Sequence, residues 1–448
     1  MLNVIRPSDR PAASLPTSST SKSGTVANAP ATRGRRMWSL RTSFWVVVGA
    51  QVLLLAASNF PTPLFPIYER QYGFSSGTVT LLFGVYVLAL IPSLLTLGRL
   101  ADRIGRRPVL AGGIAISVLS SIAFASSRGL AWLFAGEILY GIAGGMVMSC
   151  ASVTIRELHP KHNATSGALA ATLAAATGLT LGPLVSGLLA SVTPWPTVSP
   201  YALDIVLAGL VAVALLRIPE TKPPRPVGTA QPRRAPALHV PRDIRGPFAA
   251  AVAAGASSWM LVGWVFGLSP SFLHEELHVH ITQPVVSGLF AALVVVSNGA
   301  AQIVFRRRNT VLSLRAAMLV MVSGLAIIAA STLDNSLAVA LVGAVIAGGG
   351  GGVVQMNTMA TVLSIAPAHA RGGVTSAFLS VCYVAMSLPV VIAGLSADRF
   401  GLGVVTGWYL TALMALVLTA VVVGHRQSTR AIVALACTTT LNNTTTLV

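Results

Sequence analysis

The sequence predicts an all-α integral membrane protein with twelve transmembrane helices, arranged as two six-helix repeats with both termini in the cytoplasm. Of its 448 residues, 54% are hydrophobic and 9% are charged, whereas a soluble domain carries roughly 25% charged residues. The apolar runs are continuous and rich in Ala, Leu, Val and Gly. This pattern favours membrane helices over the short alternating segments of a transmembrane β-barrel.

Twelve apolar runs, many near the roughly 20 residues that a helix needs to cross a bilayer, follow one another along the chain. In the first half they cover 44–67, 79–97, 109–126, 130–153, 166–192 and 201–216. In the second half they cover 248–273, 285–305, 311–332, 337–365, 374–396 and 402–423. We therefore expect an N-terminal six-helix bundle over 44–218 and a C-terminal one over 248–424.

Three polar segments flank these predicted bundles. Residues 1–43 are rich in Ser, Pro, Ala and Arg and are predicted to form a disordered cytoplasmic tail, although their composition also fits an organelle transit peptide. Residues 219–247 are rich in Pro and Arg and are predicted to be a cytoplasmic linker between the bundles. Residues 425–448 are predicted to form a C-terminal tail.

The net charge of +18 is explained by topology. With a cytoplasmic N-terminus, the twelve runs leave Arg70, Arg128 and Arg399 outside and put every other Lys and Arg on the inner side. Such an asymmetry is what the positive-inside rule predicts for an even number of spans. We therefore expect the lipid bilayer as a partner and no nucleic acid.

An internal repeat relates the two halves without a gap. Shifting the sequence by 207 positions aligns like residues throughout, among them Pro63 with Pro270, Glu69 with Glu276, Gly141 with Gly348, Gly145 with Gly352, and Gly187 with Gly394. Chance matching of abundant Gly would not also align Pro and Glu at one offset. Two parallel repeats are an architecture in which a site forms between the halves near the middle of the membrane.

The segment between the second and third runs reads Gly-Arg-Leu-Ala-Asp-Arg-Ile-Gly-Arg-Arg-Pro-Val-Leu over residues 98–110. We expect Gly98 and Gly105 to permit a tight reversal, Asp102 to cap a helix or pair with an arginine, and the basic residues to hold the segment inside. These basic residues are Arg103, Arg106 and Arg107.

This segment closely resembles the signature loop of the major facilitator superfamily. The resemblance implies that Asp102 and Arg103 contact the other half and stabilise the outward-facing state. The repeat-related segment, residues 306–309, has Asn309 in place of the acid. We therefore expect this gating contact to depend on Asp102 alone.

The fifth run resembles a motif that this superfamily associates with antiporters. It contains Gly178, Gly182, Pro183 and Gly187, with Ser186 where the pattern usually has Gly. Small residues allow helices to approach closely and Pro183 frees a backbone carbonyl. Ordinary small-residue packing is the alternative.

Glu137 lies inside the fourth run, where related drug/proton antiporters usually carry an arginine. An ionisable residue within a span is by default a functional candidate, so our hypothesis is that Glu137 carries the coupling proton. The alternative is that Glu137 reaches the outer interface or bonds a neighbouring Ser or Tyr.

Other polar side chains within the runs are candidates for lining a substrate cavity: Gln51, Asn59, Asn298, Gln302, Gln355 and Asn357. Each of them could instead form a hydrogen bond between helices. A cluster around His274 and Glu276 resembles a metal site, but a solvated loop is the favoured interpretation. We expect no metal and no cofactor.

The chain has no nucleotide-binding loop and no nucleophile constellation, which disfavours an ATP-driven pump or an enzyme. The resemblance implies secondary active transport of a small molecule in the inner membrane by a monomer. Uncharged amides in the spans and the fifth-run motif favour proton-coupled efflux of a drug-like or apolar compound. Proton-coupled import of a small metabolite is the alternative, and a non-transporting membrane receptor is a more remote one.

Overall fold

A computed structural model describes residues 37–160, 164–221, 240–280, 283–305, 310–367 and 370–422. Those from Trp38 onward belong to one compact unit, and the account below concerns that unit. Most of both predicted tails, residues 222–239 of the predicted linker and Asn309 lie outside the described residues. So do the side chains of Arg99 and Asp102.

The first half consists of helices joined by short connections. The six long helices are α1 (Leu40–Ala57), α2 (Ser76–Ile104), α3 (Arg106–Ala125), α4 (Leu130–Leu158), α5 (Ala164–Val192) and α6 (Ser199–Leu215). Ser39 caps α1, because its side chain accepts a hydrogen bond from the N–H of Thr42. Three prolines interrupt the far end of α1, which continues as a turn, Thr62–Leu64, and a short helix, Phe65–Tyr72.

The second half repeats this order. Its long helices are α7 (Arg245–Gly267), α8 (Pro284–Phe305), α9 (Thr310–Ala330), α10 (Leu337–Ile365), α11 (Arg371–Phe400) and α12 (Leu402–Val422). A short helix, Ser269–Glu275, follows α7, as Phe65–Tyr72 follows α1. The described residues contain no β-strand.

Ten helical segments of the described chain are long and apolar enough to cross a membrane. Two further apolar helices, Ser199–Leu215 and Leu314–Ala330, are shorter. The prediction of an all-α membrane protein is thereby confirmed, and ten of the twelve predicted spans meet this criterion.

Repeat-related glycines occupy equivalent places in the two halves. A Cβ atom on Gly141 of α4 would overlap the carbonyl oxygen of Tyr86 in α2, and one on Gly348 of α10 would overlap that of Val294 in α8. The glycines therefore allow α4 to pack backbone to backbone on α2, and α10 on α8. The offset of 207 residues corresponds to a structural repeat.

A second pair of repeat-related glycines lies where the halves meet. A Cβ atom on Gly187 of α5 would approach the carbonyl oxygen of Pro284 in α8 to 2.7 Å, and one on Gly394 of α11 would overlap Thr80 of α2. The halves thus meet along two seams, α5 with α8 and α2 with α11. We call the end of the bundle where α2 begins the Glu69 end, and the end where α3 begins the Arg106 end.

The halves are closed together at the Glu69 end and separate towards the Arg106 end. In α8, seven of the eleven residues from 284 to 294 are buried, whereas none from 295 to 305 is. In α2, residues 76–90 include many buried positions, but among the described side chains of 91–100 only Ser93 is buried. We infer from this fall in burial that the space between the halves opens towards the Arg106 end.

Candidate functional site

The reversal between α2 and α3 takes place at a single residue, Gly105. Its φ of +99° is in a region that favours glycine, and a Cβ atom there would lie 2.7 Å from Oε2 of Glu220. The Glu220 carboxylate accepts hydrogen bonds from the backbone N–H groups of Arg106 (2.9 Å) and Arg107 (3.0 Å). Glu220 therefore caps the start of α3.

This geometry corrects the roles predicted for Gly98 and Asp102. Gly98 lies inside α2, where its Cα faces Ser149 of α4, so it contributes to packing and not to the reversal. Asp102 also lies within α2, and the helix start at α3 is capped by Glu220 instead. The side chain of Asp102 lies outside the described part of the structure, so its predicted gating role stays a prediction.

Two arginines of the loop, Arg106 and Arg107, bind within their own half. Arg106 forms an ion pair with Glu157 at the end of α4, and Arg107 donates a hydrogen bond to the carbonyl oxygen of Leu216. The Arg103 side chain is exposed. These contacts hold the ends of α3, α4 and α6 together at the Arg106 end.

The antiporter-like motif of α5 lies between two helices. Cβ atoms on Gly178 and Gly182 would collide with the backbone of α1, so these residues let α5 pack closely against α1. Pro183 and Gly187 lie against α8, where the carbonyl oxygen of Pro183 contacts Gly288. This helix therefore joins α1 to the other half of the protein.

Ser186, which departs from the usual pattern of this motif, has a defined partner. Its hydroxyl donates a hydrogen bond of 2.6 Å to the carbonyl oxygen of Phe60, and Ser186 is fully buried. Phe60 precedes Pro61, so its carbonyl lies in the interrupted end of α1, outside regular helical bonding. The serine thus fixes the position of that interrupted end.

Glu137 is 4% exposed and lies about two turns from the start of α4. It is within electrostatic reach of four tyrosines, Tyr68, Tyr86, Tyr140 and Tyr201. Among the described residues no hydrogen bond to its carboxyl group is found. A bond to a neighbouring Ser or Tyr is therefore not seen among the described residues, whereas the alternative of an outer-interface position stays open.

The amides of α1 take part in local packing. Gln51 is 5% exposed and donates a hydrogen bond of 3.2 Å to the carbonyl oxygen of Ala171 in α5. Asn59 donates to the carbonyl oxygen of Leu55 in its own helix at 2.8 Å. The Gln51 geometry corresponds to the alternative stated above, a hydrogen bond between helices. Asn59, in the turn after α1, bonds only within its own segment, so its predicted place in a cavity stays a prediction.

The amides of the second half form a cluster. Gln302 donates to Oδ1 of Asn298 at 2.8 Å and approaches Oε1 of Gln355 at 3.4 Å. All three are half-buried and lie on the part of α8 and α10 that borders the open space. Asn357 is 2% exposed, and its Nδ2 has no hydrogen-bond partner among the described residues.

An aromatic and thioether contact crosses between the halves at mid-height, and sequence reasoning missed it. The hydroxyl of Tyr383 in α11 lies 3.8 Å from the sulfur of Met148 in α4. Trp259 of α7 packs edge-on against Tyr383, with ring centroids 4.8 Å apart. No local motif marks these residues, because their relation depends on how the halves pack.

The Glu69 end is closed by carboxylates that accept hydrogen bonds across the seam. Asp398 accepts from the Ser75 hydroxyl (2.9 Å) and from the N–H of Gly77 (3.3 Å). In the other direction, Glu69 accepts from the Ser271 hydroxyl (3.2 Å). A cavity of about 500 Å³ lies over this seam.

Glu275 adds a fourth contact across the Glu69 end, because the Ser76 hydroxyl lies 3.4 Å from Oε1 of Glu275. Partial burial, and then the negative charge of Glu276, raise the pKa of Glu275. The alternative of a metal site near His274 finds no support, because no group of three or more possible ligands lies together in the described residues. His274 instead contacts the carbonyl oxygen of Val279 at 2.9 Å.

A second buried acid of the first half, Asp204, was not among the predicted site residues. It lies in α6, is 0% exposed and accepts a hydrogen bond from Ser121 at 2.6 Å. The rule that selected Glu137, an ionisable residue inside a span, applies equally to Asp204. The signal was therefore present in the sequence.

The fold and these buried polar groups define a multi-pass membrane protein built from two related helical halves. A family model described as Major Facilitator Superfamily matches residues 47–390, so the chain belongs to this superfamily. This membership places it among membrane transporters and not among enzymes.

Relatives of known name match part of the chain. It is 34% identical over 192 residues to the "Multidrug efflux pump LfrA" of Mycolicibacterium smegmatis, covering 41% of this chain and 38% of the relative. It is 30% identical over 190 residues to the "Tetracenomycin C resistance and export protein" of Streptomyces glaucescens, covering 42% and 34%. The matches thus span well under half the length of these relatives.

A solved structure shows the same fold over most of the chain. The crystal structure of a D-xylose–proton symporter superposes with a TM-score of 0.69 at 13% identity, covering 86% of this chain and 97% of that one. At this identity the likeness concerns the fold alone.

Proposed function

We propose that this protein is a secondary active transporter that exports a drug-like or apolar small molecule in exchange for protons. The observation that carries the proposal is the pair of seams that close the Glu69 end while the space between the halves opens at the Arg106 end. A site between two repeats that is reachable from one side at a time is what alternating access requires.

We assign the Arg106 end to the cytoplasm and the Glu69 end to the outside. The described arginines at the Arg106 end include Arg106, Arg107, Arg156 and Arg371, whereas the Glu69 end holds exposed acids such as Asp398. The positive-inside rule supports this orientation. With it, the twelve helices α1–α12 all span an inner membrane, and the described state opens inward.

Proton coupling is assigned to Glu137. A carboxyl group buried among tyrosines, without a described hydrogen bond, is costly to keep ionised in the membrane interior. Gaining and losing a proton there would change how tightly α4 packs. The names of the exporting relatives support efflux.

The substrate is proposed to bind at mid-height, between the Trp259, Tyr383 and Met148 contact and the amide cluster of Asn298, Gln302 and Gln355. Aromatic rings and a thioether offer apolar contact area, and uncharged amides offer hydrogen bonds that do not demand a charged substrate. This combination suits an apolar molecule with a few polar atoms.

The test uses the purified full-length protein in liposomes, with ethidium as the probe and an imposed proton gradient. Efflux predicts that ethidium accumulates on the side from which protons flow, and that Glu137→Gln loses this accumulation. Gln302→Leu should weaken ethidium transport without removing its dependence on the gradient. A Glu137→Gln variant with full proton-coupled transport would contradict the assignment.

Two alternatives give different results in the same assay. A proton-coupled importer would move a substrate in the direction of proton flow. A receptor would bind the probe without moving it across the liposome membrane. Either result would overturn the proposed efflux.

A further inference from the structure

Asp204 of α6 is buried in a way that simple packing does not explain. The residue is 0% exposed, and one oxygen, Oδ2, accepts a hydrogen bond from Ser121 of α3 at 2.6 Å. The other oxygen, Oδ1, is buried and has no hydrogen-bond partner among the described residues. An apolar side chain would fill this space without the cost of a half-satisfied carboxyl group.

The hydrogen bond to Ser121 continues into a chain of hydroxyls. Ser121 Oγ lies 2.7 Å from the hydroxyl of Tyr140 in α4, and Tyr140 is fully buried. Tyr140 and Glu137 are three residues apart on α4, so they lie on one face of that helix. The chain therefore leads from Asp204 to the neighbourhood of the proposed proton carrier.

The surroundings are aromatic and offer no cation among the described residues. Phe124 stacks on Tyr201 at 4.9 Å and on Tyr140 at 5.8 Å, which closes the cluster with aromatic rings. The titratable groups that face it come from the short helix after α1 (Tyr68), α4 (Glu137, Tyr140) and α6 (Tyr201). The ion pair found in the described part of the chain, Arg106 with Glu157, lies at the opposite end.

We propose that Asp204 is a second proton-binding group of this protein, at one end of a hydrogen-bonded chain that runs through Ser121 to Tyr140, near Glu137. The proposal rests on the proposed proton coupling. It adds a site for a proton in α6, outside the helix that carries Glu137.

With an ionised Asp204 as the acceptor at the end of the chain, the order of the hydrogen bonds defines how a proton would pass. Glu137 forms no hydrogen bond to Tyr140 in the described state, so the first transfer requires its carboxyl group to turn to the Tyr140 oxygen. Protonated Glu137 then gives its proton to that oxygen, Tyr140 gives its own to Ser121, and Ser121 gives its own to Oδ2 of Asp204. Each O–H bond that breaks is replaced by one that forms. The result is a carboxylate at Glu137 and a carboxylic acid at Asp204, with both hydroxyls restored.

The test reads the protonated carboxyl groups directly, by infrared spectroscopy of the purified full-length protein titrated from acidic to alkaline pH. We expect carboxylic acid bands that disappear as the pH rises, one of them from Asp204 and one from Glu137. Asp204→Asn should remove one of them and Glu137→Gln the other. Ser121→Ala keeps both acids but should slow proton exchange at Asp204 relative to the unaltered protein.

Two outcomes would overturn the proposal. The first is an Asp204 band that persists at every pH, which would make Asp204 a fixed structural acid. The second is Asp204→Asn with both bands intact. If Asp204→Asn does not fold, unchanged exchange in Ser121→Ala would serve as the contradicting result.

Because these bands are measured without substrate, the outcome is separate from that of the efflux assay. A titrating Asp204 band in a protein that moves no ethidium would contradict the proposed function and leave the proton site in place. Proton-coupled efflux without a titrating Asp204 band would support the proposed function and contradict the proton site at Asp204.

Discussion

The carboxylate of Glu220 lies where a side chain on Gly105 would have to be, 2.7 Å from the position of its Cβ atom. Glu220 follows α6, so this contact ties the end of the sixth helix to the reversal between the second and third. The signature loop is therefore supported by a residue far from it in sequence.

Gly105→Ala should destabilise the protein. The alanine would be strained at a φ of +99° and would displace Glu220 from the N–H groups that it caps, at a cost of about 1–3 kcal/mol. The measurement is the thermal midpoint of unfolding in detergent. Gly209→Ala is the matched control, because a Cβ there meets nothing within 4 Å, and equal losses from both would refute the explanation.

Ser186→Ala should loosen the interrupted end of α1. Loss of the 2.6 Å hydrogen bond to the Phe60 carbonyl leaves a buried acceptor unpaired, at a cost of about 1–3 kcal/mol. Faster hydrogen–deuterium exchange in the residues after Ala57 would report this change. Thr172→Val serves as the control, since the Thr172 hydroxyl bonds only within its own helix at an exposed position.

Gly288→Ala should prevent closure at the Glu69 end, because a Cβ atom there would overlap the Pro183 carbonyl. The control on the same helix is Gly299→Ala, whose Cβ would meet Ala176 at an ordinary 3.7 Å. The reporter is Thr80→Cys, since Thr80 is fully buried in the closed seam. Thiol labelling at this site should rise several-fold with Gly288→Ala and stay low with Gly299→Ala.

Closure of the Glu69 end should depend on pH. The pKa of Glu275 is raised in the closed seam by burial and by Glu276, so the closed state binds protons more tightly than an open, solvated one. Closure is therefore favoured as the pH falls and is weakened as the pH rises through this raised pKa. The charged and titratable groups around Glu275 include Glu69, Arg70, His274, Glu276 and Asp398.

Spin labels placed across the Glu69 end would measure this pH dependence as a distance. Glu275→Gln, which cannot ionise, should reduce the pH response and favour the closed distance at alkaline pH. A response that remains unchanged would assign the effect to the other acids of the seam.

Asp102→Asn should impair ethidium transport, whereas Asn309→Ala should leave it intact. The prediction follows from the sequence, in which Asn309 replaces the acid in the second copy of the loop. Both side chains lie outside the described part of the structure. Transport rates in liposomes decide the matter. An equal loss of transport in the two variants would contradict the prediction that gating depends on Asp102 alone.

Periodic and repeated features were predictable from the sequence. The length of the apolar runs predicted the helices. The 207-residue offset correctly paired Gly141 with Gly348 and Gly187 with Gly394, because close helix packing demands small residues at equivalent places. The predicted run 44–67 does not itself mark the interruption after Ala57, which the prolines at 61, 63 and 66 explain because they lack a helical N–H group.

Contacts between distant segments were not predictable. Glu220 caps α3 across more than a hundred residues, and Tyr383 meets Met148 across the two halves, so neither pairing leaves a local pattern. Gly98 was assigned to the reversal because glycine suits both a turn and a packed helix. Composition alone does not separate these two uses.

The two seams differ in what holds them, although the repeat relates them. The α5–α8 seam joins backbone to backbone, through Gly187 with Pro284 and Gly288 with Pro183, whereas the α2–α11 seam depends on the Asp398 carboxylate. Added salt or a change of pH should affect the α2–α11 seam, which contains a carboxylate, and should have little effect on the α5–α8 seam. The two sides of the duplicated chain should therefore respond differently to ionic strength and pH, with the α2–α11 side the more sensitive one.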